Sequence, residues 1–449
     1  MPQPTSPTPQ TQKEARGEIE RWKPLFEKLL ARFDGALALQ LADGSSSNFG
    51  NAVLAQPGFA LHLRDPQVLR TLLLGQDPLR FADAYFRGAL DVDGDFFAAL
   101  SLKDYLHSLQ LTLLDRLRVL MRLLGSASGV RASGPGCDRL AADTVRSHSR
   151  PENRDAIAFH YDLSNDFYAL WLDASMVYSC AYFERPDMTL EQAQQAKLDH
   201  ICRKLQLRTG ERFMDIGCGW GALILHAAQH YGVQAHGITL SERQFALARA
   251  RIQCAGLEGQ VTVELQDYRD VPGKACFDKI ASVGMFEHVG LKNLPQYFDT
   301  VHRLLRPEGL FLNHGITHDE EGWGDALSSR FINRYVFPDG ELDTVSNIQC
   351  AMERSQFEIL DLEGLRPHYA LTLREWVRRL DLQHAQALHH VNESTYRIWR
   401  LYMAASALEF ESGELGVYQI LSTPRANAAN MLPISRRHMY PSPTEATGP

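Results

Sequence analysis

The sequence predicts an α/β fold built on a doubly wound parallel sheet. Three observations predict it: strand and helix patterns alternate from residue 212 onward, a glycine-rich turn joins the first of these strands to a helix, and two further strands follow late in the chain. Repeated βα units of this kind place helices on both faces of a parallel sheet. With 449 residues the chain exceeds one compact core, so we expect two or three domains.

Each element of the sheet is predicted from a short apolar run or from an amphipathic period. The predicted strands cover 212–216, 234–240, 261–267, 277–284, 309–317, 357–365 and 417–424. The predicted helices cover 220–231, 241–256, 291–305, 372–389 and 392–410.

The part of the chain before this sheet is less regular. A helical pattern covers 18–33, and 65–94 is interpreted as short helices broken by proline and glycine. Leucines mixed with arginines over 106–125 indicate an amphipathic helix. That helix either packs on its own domain or lies on an anionic membrane surface, and both interpretations stay open.

Composition excludes several classes of protein. The net charge of −8 argues against a general nucleic-acid binder. Seven cysteines without any CxxC pair indicate neither a zinc site nor a disulfide framework, so no metal is predicted. The first residues lack the apolar stretch of a signal peptide, and no apolar run reaches the roughly 18 residues that span a bilayer. We therefore expect a cytoplasmic protein.

The strongest chemical signal is the phrase Asp215-Ile-Gly217-Cys-Gly219-Trp-Gly221, which directly follows a strand and opens a helix. Glycines there allow a sharp turn and a close approach to a ligand. A dinucleotide fold uses such a turn for a pyrophosphate. The spacing D-x-G-x-G-x-G instead resembles the loop that binds S-adenosylmethionine (SAM).

The end of the second strand is predicted to lie near the ribose of that ligand. Thr239 and Gln244 are placed to hydrogen-bond the ribose hydroxyls, where many nucleotide folds use an acid. The alternative interpretation is an ordinary helix start capped by Ser241.

Longer phrases carry a family resemblance. They occur in this order: HYDLSNDFYALWLDASMVYSCAYF (160–183), DIGCGWGA (215–222), GITLSERQ (237–244), DYRD (267–270), FDKIASVGMFEHVGLKN (277–293), RYVFPDGEL (334–342) and HYALTLREW (368–376). Together they resemble the cyclopropane-fatty-acyl-phospholipid synthase family, which includes the mycolic acid cyclopropane synthases. The resemblance covers 155–425, and 65–97 is similar to the N-terminal lipid-binding domain of the phospholipid-acting members.

The resemblance implies a fold and its division into domains. It implies a seven-stranded Rossmann-like SAM methyltransferase sheet with a small N-terminal α+β lipid-binding domain. The expected segments are a disordered start (1–17), the lipid-binding domain (18–125), a linker (126–152), the catalytic domain (153–424) and a flexible tail (425–449).

The resemblance also implies a reaction. An electron-rich cis double bond of an unsaturated phospholipid acyl chain takes the methyl group of SAM, and loss of a proton from that carbon closes a cyclopropane ring. Such a carbocation requires the exclusion of water and a base close to the transferred carbon. In the family that base is a bound bicarbonate.

Two sets of site residues follow from the resemblance. The bicarbonate is expected to be held by Cys180, Val283, Glu287, His314 and Tyr369, of which all but Val283 are the expected catalytic residues. SAM is expected to contact Tyr178, Ser179, Asp215, Gly217, Gly219, Thr239, Leu240, Gln244, Tyr268 and Arg269. Tyr268 is expected near the adenine and Asp267 near its amino group. Cys180 is interpreted as part of the anion pocket and not as a nucleophile, because methyl transfer from SAM needs none.

Other residues near these motifs have two interpretations. Phe183, Tyr335 and Phe337 either stabilise the developing cation or simply line the pocket. His288 adjoins Glu287 and is interpreted as structural.

The resemblance leaves the product open. Proton loss elsewhere would give a methylene branch, and reduction by a partner would give a methyl branch. Methylation of a free small molecule and a non-catalytic lipid-binding role are the remaining alternatives. The expected partners are unsaturated phospholipid at the inner face of the membrane, through transient peripheral contact, and a second copy in a homodimer.

Overall fold

The protein is described here by a computed structural model that covers residues 19–20, 22–50, 57–65, 68, 79–108, 163–320, 341–425 and 433–440. The predicted disordered start and linker, and most of the predicted helix over 106–125, lie outside these residues. The chain forms two compact units. The first unit holds Met1–Leu140 with Asn392–Ala405, and the second holds Ala141–Val391 with Ser406–Pro449.

The first unit contains a small sheet with helices. Its strands are β1 (Ala36–Leu41), β2 (Ser46–Gly50), β3 (Phe59–Leu63) and β4 (Leu90–Gly94), in the order β2-β1-β3-β4. Its helices are α1 (22–29), α2 (Leu79–Phe86) and α3 (Phe96–Ser108). Strand β3 runs parallel to β1, whereas β2 and β4 pair antiparallel with their neighbours. The predicted α+β character of this region is confirmed.

One prediction in this unit is wrong. The end of 65–94 was expected to be helical, but β4 pairs with β3 there, with Val92 opposite Leu61. Gly88 has a φ of 70°, which ends the helical stretch after α2 and turns the chain into an edge strand. The pairing with β3, which is distant in sequence, decides the conformation.

The second unit carries the seven-stranded sheet. Its strands are β5 (Arg212–Ile216), β6 (Gln234–Thr239), β7 (Val261–Leu265), β8 (Phe277–Val283), β9 (Leu305–His318), β10 (Phe357–Gly364) and β11 (Leu415–Pro424). The order is β10-β11-β9-β8-β5-β6-β7. Strands β5 to β9 pair in parallel, and β11 and β10 close the sheet antiparallel. The predicted fold class is confirmed.

Helices cover both faces of this sheet. They are α4 (Asn165–Ala169), α5 (Leu190–Lys204), α6 (Ala222–Tyr231), α7 (Glu242–Cys254), α8 (Leu294–Leu304), α9 (Val345–Arg354), α10 (Arg366–Leu382), α11 (His384–Ala387) and α12 (Glu393–Ser412). Adjacent residues of a strand point to opposite faces. Accordingly Phe213 packs in a core with α5 and α6, while Met214 packs in a second core with α8 and α9.

Helix α12 divides between the two units. Its residues up to Ala405 belong to the first unit, although the sequence placed them in the catalytic domain. There Arg397, only 7% exposed, donates to the carbonyl of Tyr85 at 3.0 Å and to the carboxylate of Asp91 at 3.1 Å. A segment more than three hundred residues away thus completes the N-terminal unit.

The topology of the sheet indicates which of its ends binds a ligand. Strand β5 lies between β6 and β8, and the chain proceeds from β5 through β6 to β7 in one direction along the sheet but from β8 to β9 in the opposite direction. In open α/β sheets ligands bind at the carboxyl ends of the strands beside such a switch point. Among the described residues, no helix is long and apolar enough to cross a membrane.

Candidate active site

The glycine loop follows β5 with the geometry that its sequence requires. Gly217, Gly219 and Gly221 have φ values of 82°, 53° and 85°, in the left-handed region that other residues rarely adopt. A Cβ at Gly217 would lie 2.9 Å from the side chain of Met285. Only glycine therefore fits at this position, and Gly221 begins α6 without any side-chain cap.

A single cavity collects the residues predicted to bind SAM. All ten line it, as does Val283. The cavity opens at the carboxyl ends of β5, β6 and β8, where the topology predicts a ligand. Residues that were not predicted to bind SAM also line it, among them Lys197, Met285 and His288.

The segment that follows β6 borders the cavity and contains both the polar pair and the helix cap that the sequence suggested. Thr239 Oγ1 donates to Gln244 Oε1 at 2.8 Å, which holds both polar groups at the cavity. Ser241 also caps α7, because its hydroxyl accepts from the backbone N–H of Gln244. The helix cap by Ser241 is therefore compatible with a role of Thr239 and Gln244 at the ribose, because the same turn provides both.

The segment that follows β7 also borders the cavity, and an ion pair holds it in place. The Arg269 guanidinium donates to both carboxylate oxygens of Asp267, at 2.8 and 2.6 Å, and lies 5.5 Å from the centre of the Tyr268 ring. The carboxylate of Asp267, expected near the adenine amino group, is therefore engaged by Arg269. Tyr268, expected near the adenine, is buried and lines the cavity.

An aromatic cluster supports the loop that carries Tyr178, Ser179 and Cys180. The ring of Tyr178 lies 5.4 Å from that of Trp171 and 5.3 Å from that of Trp376. Aromatic pairs at such distances stabilise a fixed arrangement and keep water away. The loop is therefore positioned by rigid packing from α10 and from the turn after α4.

The four predicted catalytic residues are all buried, with exposed fractions of at most 8%. They come from separate segments: Cys180 follows the cavity residue Ser179, and Glu287 precedes the cavity residue His288. His314 pairs in register with Val283, while Tyr369 lies in α10. None of the four lines the cofactor cavity itself, but each of the first three adjoins a residue that does.

Hydrogen bonds and close contacts connect these four residues to β9 and α10. Glu287 Oε1 accepts from the backbone N–H of Ile316 at 2.8 Å. The Cys180 thiol lies 3.8 Å from the carbonyl of Leu365, which also accepts from the backbone N–H of Tyr369. In the described part of the chain, Glu287 Oε2 and His314 Nε2 are buried without a hydrogen-bond partner. Both atoms are therefore candidate contacts for a ligand.

Burial sets the protonation of these groups. Desolvation raises the pKa of Glu287 to about 7 and raises the pKa of the Cys180 thiol above its usual range. It lowers the pKa of His314 well below the ordinary value. At neutral pH His314 is neutral, Cys180 is a thiol, and Glu287 is partly protonated. A thiolate nucleophile is not favoured here, which agrees with the role expected for Cys180.

The raised pKa of Glu287 predicts a pH-dependent stability. The folded protein keeps this proton up to about pH 7, whereas the unfolded chain loses it near pH 4.3, so the folded state loses stability as the pH rises between these values. Glu287→Gln removes this loss. The melting temperature of the variant, relative to wild type, should therefore rise from pH 5 to pH 7 and then level off. A difference that is constant across this range would contradict the buried titration.

Two of the four other residues singled out near the motifs lie within the described residues. His288, interpreted as structural, lines the cavity. The backbone N–H of Phe183 donates to His368 Nδ1 at 3.0 Å. Tyr335 and Phe337 lie outside the described residues. No group of His, Cys, Asp or Glu within the described segments is arranged to hold a metal ion.

Sequence reasoning missed Lys197. The signal was present: Ala193, Lys197 and Ile201 recur at a spacing of four on α5, and all three are at most 2% exposed. A lysine on an apolar helical stripe is rarely buried without a partner.

Comparison with known proteins decides the family. The model of the mycolic acid cyclopropane synthetase family matches residues 148–420. The chain belongs to this family. It is 40% identical over 407 residues to a probable fatty acid methyltransferase of Pseudomonas putida, covering 90% of this chain and 96% of that one. It is 42% identical over 262 residues to the cyclopropane-fatty-acyl-phospholipid synthase of Escherichia coli strain K12, covering 58% and 66%.

Solved structures agree with this membership. The mycolic acid cyclopropane synthase CmaA1, complexed with SAH and CTAB, matches with a TM-score of 0.57 and 33% identity, over 60% of this chain and 98% of that one. This member of the mycolic acid cyclopropane synthetase family is accordingly a SAM-dependent methyltransferase, as the sequence predicted.

Proposed function

We propose that this enzyme converts cis double bonds of unsaturated phospholipid acyl chains into cyclopropane rings. The observation that carries the proposal is the buried set Cys180, Glu287, His314 and Tyr369 beside the cofactor cavity, in which two polar atoms have no partner among the described residues. Formation of a cyclopropane ring and formation of a methylene branch both end in the loss of a proton to a base, whereas a methyl branch needs a reducing partner, so this set supports a product formed by proton loss. The Escherichia coli relative is named for the cyclopropane product.

We assign SAM to the cavity at the carboxyl ends of β5, β6 and β8. The glycine loop allows close approach of the methionine part, while Thr239 and Gln244 face the ribose and Tyr268 the adenine. SAM supplies an electrophilic methyl group. The aromatic rings around Tyr178 keep water away from the carbon that would receive positive charge.

We assign bicarbonate to Cys180, Val283, Glu287, His314 and Tyr369, with Glu287 Oε2 and His314 Nε2 as its main polar contacts. Gln419 Nε2 lies 3.1 Å from His314 Nδ1, and an amide nitrogen only donates, so the neutral imidazole carries its proton on Nε2. That N–H has no partner within the described segments, and a donor of this kind suits an anion. Glu287, with its pKa raised to about 7, can donate from Oε2 when protonated. The residues present therefore fit a small anion that also accepts a proton.

A specific observation favours a second candidate. The probable fatty acid methyltransferase of Pseudomonas putida aligns over 90% of this chain, whereas the Escherichia coli synthase aligns over 58%. A methylene- or methyl-branched product therefore remains the rival, since methyl transfer to the alkene is common to both reactions.

The deciding experiment incubates the full chain with methyl-labelled SAM, bicarbonate and vesicles of cis-monounsaturated phospholipid. Mass spectrometry and proton NMR then identify the labelled acyl chains. A saturated labelled chain with cyclopropane ring protons supports the proposal. A surviving double bond or exomethylene protons would assign the enzyme to the branching class, and unlabelled lipid would remove phospholipid as the substrate.

We further propose that the first unit serves membrane contact and that the enzyme works as a homodimer at the inner face of the membrane. Because Arg397 packs with Tyr85 and Asp91, removing residues 1–125 would strip α12 of its partners. Sedimentation of the full chain with anionic and neutral vesicles, combined with light scattering, is therefore the cleaner test. A monomer that leaves both vesicle types unbound would contradict this part of the proposal.

A further inference from the structure

The segment 433–440, late in the chain, packs on helix α5 of the same unit. Met439 is 3% exposed and belongs to the hydrophobic core that contains Ile201 of α5. Its backbone carbonyl accepts a hydrogen bond from His200 Nδ1 at 3.0 Å. Ile434 of the same segment is fully exposed. Met439 is therefore the apolar anchor of the segment.

The ring of His200 is fixed through both of its nitrogens. His200 is buried, and its Nε2 lies 2.7 Å from Glu363 Oε2. Lys204 Nζ lies 2.5 Å from the same oxygen. Burial opposes the ionisation of Glu363, but the hydrogen bond with His200 and the charge of Lys204 outweigh it and lower the pKa of Glu363 to about 2. The ionised carboxylate accepts from His200, so the ring cannot turn without breaking a hydrogen bond.

The fixed ring of His200 stacks on the Cys180 loop, which comprises residues 178–183. The ring of Tyr182 lies between the rings of His200 and His368, with centre-to-centre distances of 4.3 and 4.9 Å. The planes are nearly parallel, at angles of 14° and 13°. Aromatic rings stacked in this way hold one another in a defined orientation. The segment 433–440 is thus connected to the Cys180 loop through a single side chain, that of His200.

The stack joins two segments that carry expected catalytic residues. Tyr182 follows Cys180 by two positions, and His368 directly precedes Tyr369. The other end of the loop is held separately, because the ring of Tyr178 packs in its own aromatic cluster. The cofactor end of the loop is therefore fixed without the stack, whereas the end at Cys180 depends on it.

We propose that residues 433–440 position the Cys180 loop for catalysis. His200 is the positioning residue, because it connects the carbonyl of Met439 to the ring of Tyr182. The inference rests on the catalytic set proposed above, and not on which product forms. A displacement of about 1 Å at a reacting centre can cost about a hundredfold in rate. Loss of the docked segment should therefore reduce turnover more than cofactor binding.

The test undocks the segment in the full chain. Met439→Glu places a carboxylate in the core beside α5, and Ile434→Glu introduces the same carboxylate at the exposed position of the same segment. Met439→Glu should lower methyl transfer from labelled SAM to phospholipid by at least about tenfold. Its affinity for S-adenosylhomocysteine, measured by titration calorimetry, should change by less than about threefold. Ile434→Glu should alter neither quantity.

Hydrogen exchange provides a readout that needs no substrate. The backbone N–H groups of Ala181, Tyr182 and Phe183 are all hydrogen-bonded. In Met439→Glu they should exchange at least about tenfold faster than in wild type, and in Ile434→Glu at the wild-type rate. Unchanged exchange in a folded Met439→Glu variant would overturn the inference. If wild type transfers no methyl group to lipid, the proposed function fails, and these exchange rates still decide the inference.

Variants of Tyr182 test the stack even if Met439→Glu fails to fold. Tyr182→Phe keeps the flat ring and should retain turnover, whereas Tyr182→Leu should lose at least about tenfold. In the double variant Met439→Glu/Tyr182→Leu the two losses should not multiply, because both changes break the same connection. Wild-type turnover in Tyr182→Leu, or losses that multiply in the double variant, would overturn the proposal. Wild-type turnover in Met439→Glu despite faster exchange would do so too, since the loop would not need its fixed position.

Discussion

Glu287→Gln is expected to lower product formation by at least about a hundredfold, the range of a lost general acid–base or charge-positioning group. Binding of S-adenosylhomocysteine should be unchanged, because Glu287 does not line the cofactor cavity. The amide keeps an oxygen for the N–H of Ile316 but cannot exchange a proton at the Oε2 position. The loss should therefore fall on turnover and not on cofactor affinity. Single-turnover measurement of labelled acyl chains separates the two quantities.

Two controls make this result interpretable. Glu264→Gln makes the same chemical change at an exposed position of β7 and should leave turnover unaltered. The melting temperature of Glu287→Gln at pH 8 should be at least that of wild type, because the substitution removes a buried carboxylate. Wild-type turnover in a folded Glu287→Gln variant would remove Glu287 from the mechanism.

Gly315→Ala is expected to destabilise the second unit and to displace the catalytic set together. A Cβ at Gly315 would overlap the ring of Phe286 and lie 3.0 Å from Glu287 Oε1. The strand cannot move aside, because β9 is paired with β8 on one edge and with β11 on the other. Overpacking of this kind costs about 1–3 kcal/mol, and here Glu287 must move with Phe286. We expect a lower melting temperature and a loss of turnover of at least about tenfold.

Gly259→Ala is the matched glycine control, because a Cβ there would meet no heavy atom within 4 Å. It should keep both stability and turnover within experimental error. If Gly315→Ala also retained both, the close packing of Glu287 against β9 would not be required for catalysis.

Local sequence was sufficient for much of the sheet. The prediction for 212–216 coincides with β5, and the following glycines adopt the positive φ values that their pattern indicates. These features depend on neighbouring residues, since a glycine turn and a β-strand are determined within a few positions. The strands of the first unit were not predicted, because β4 is fixed by pairing with β3 across a helix.

The sequence by itself determined the fold class, the position of the glycine loop and the family. These properties rest on hydrophobic periodicity and on the order of short motifs, both of which can be recognised without coordinates. Tertiary structure alone decided which side chains meet. It placed Arg397 in the N-terminal unit, set Glu287 against β9, and brought two carboxylates to the buried Lys204. Charge compensation depends on strand register and helix packing between distant segments, and no local pattern encodes those distances.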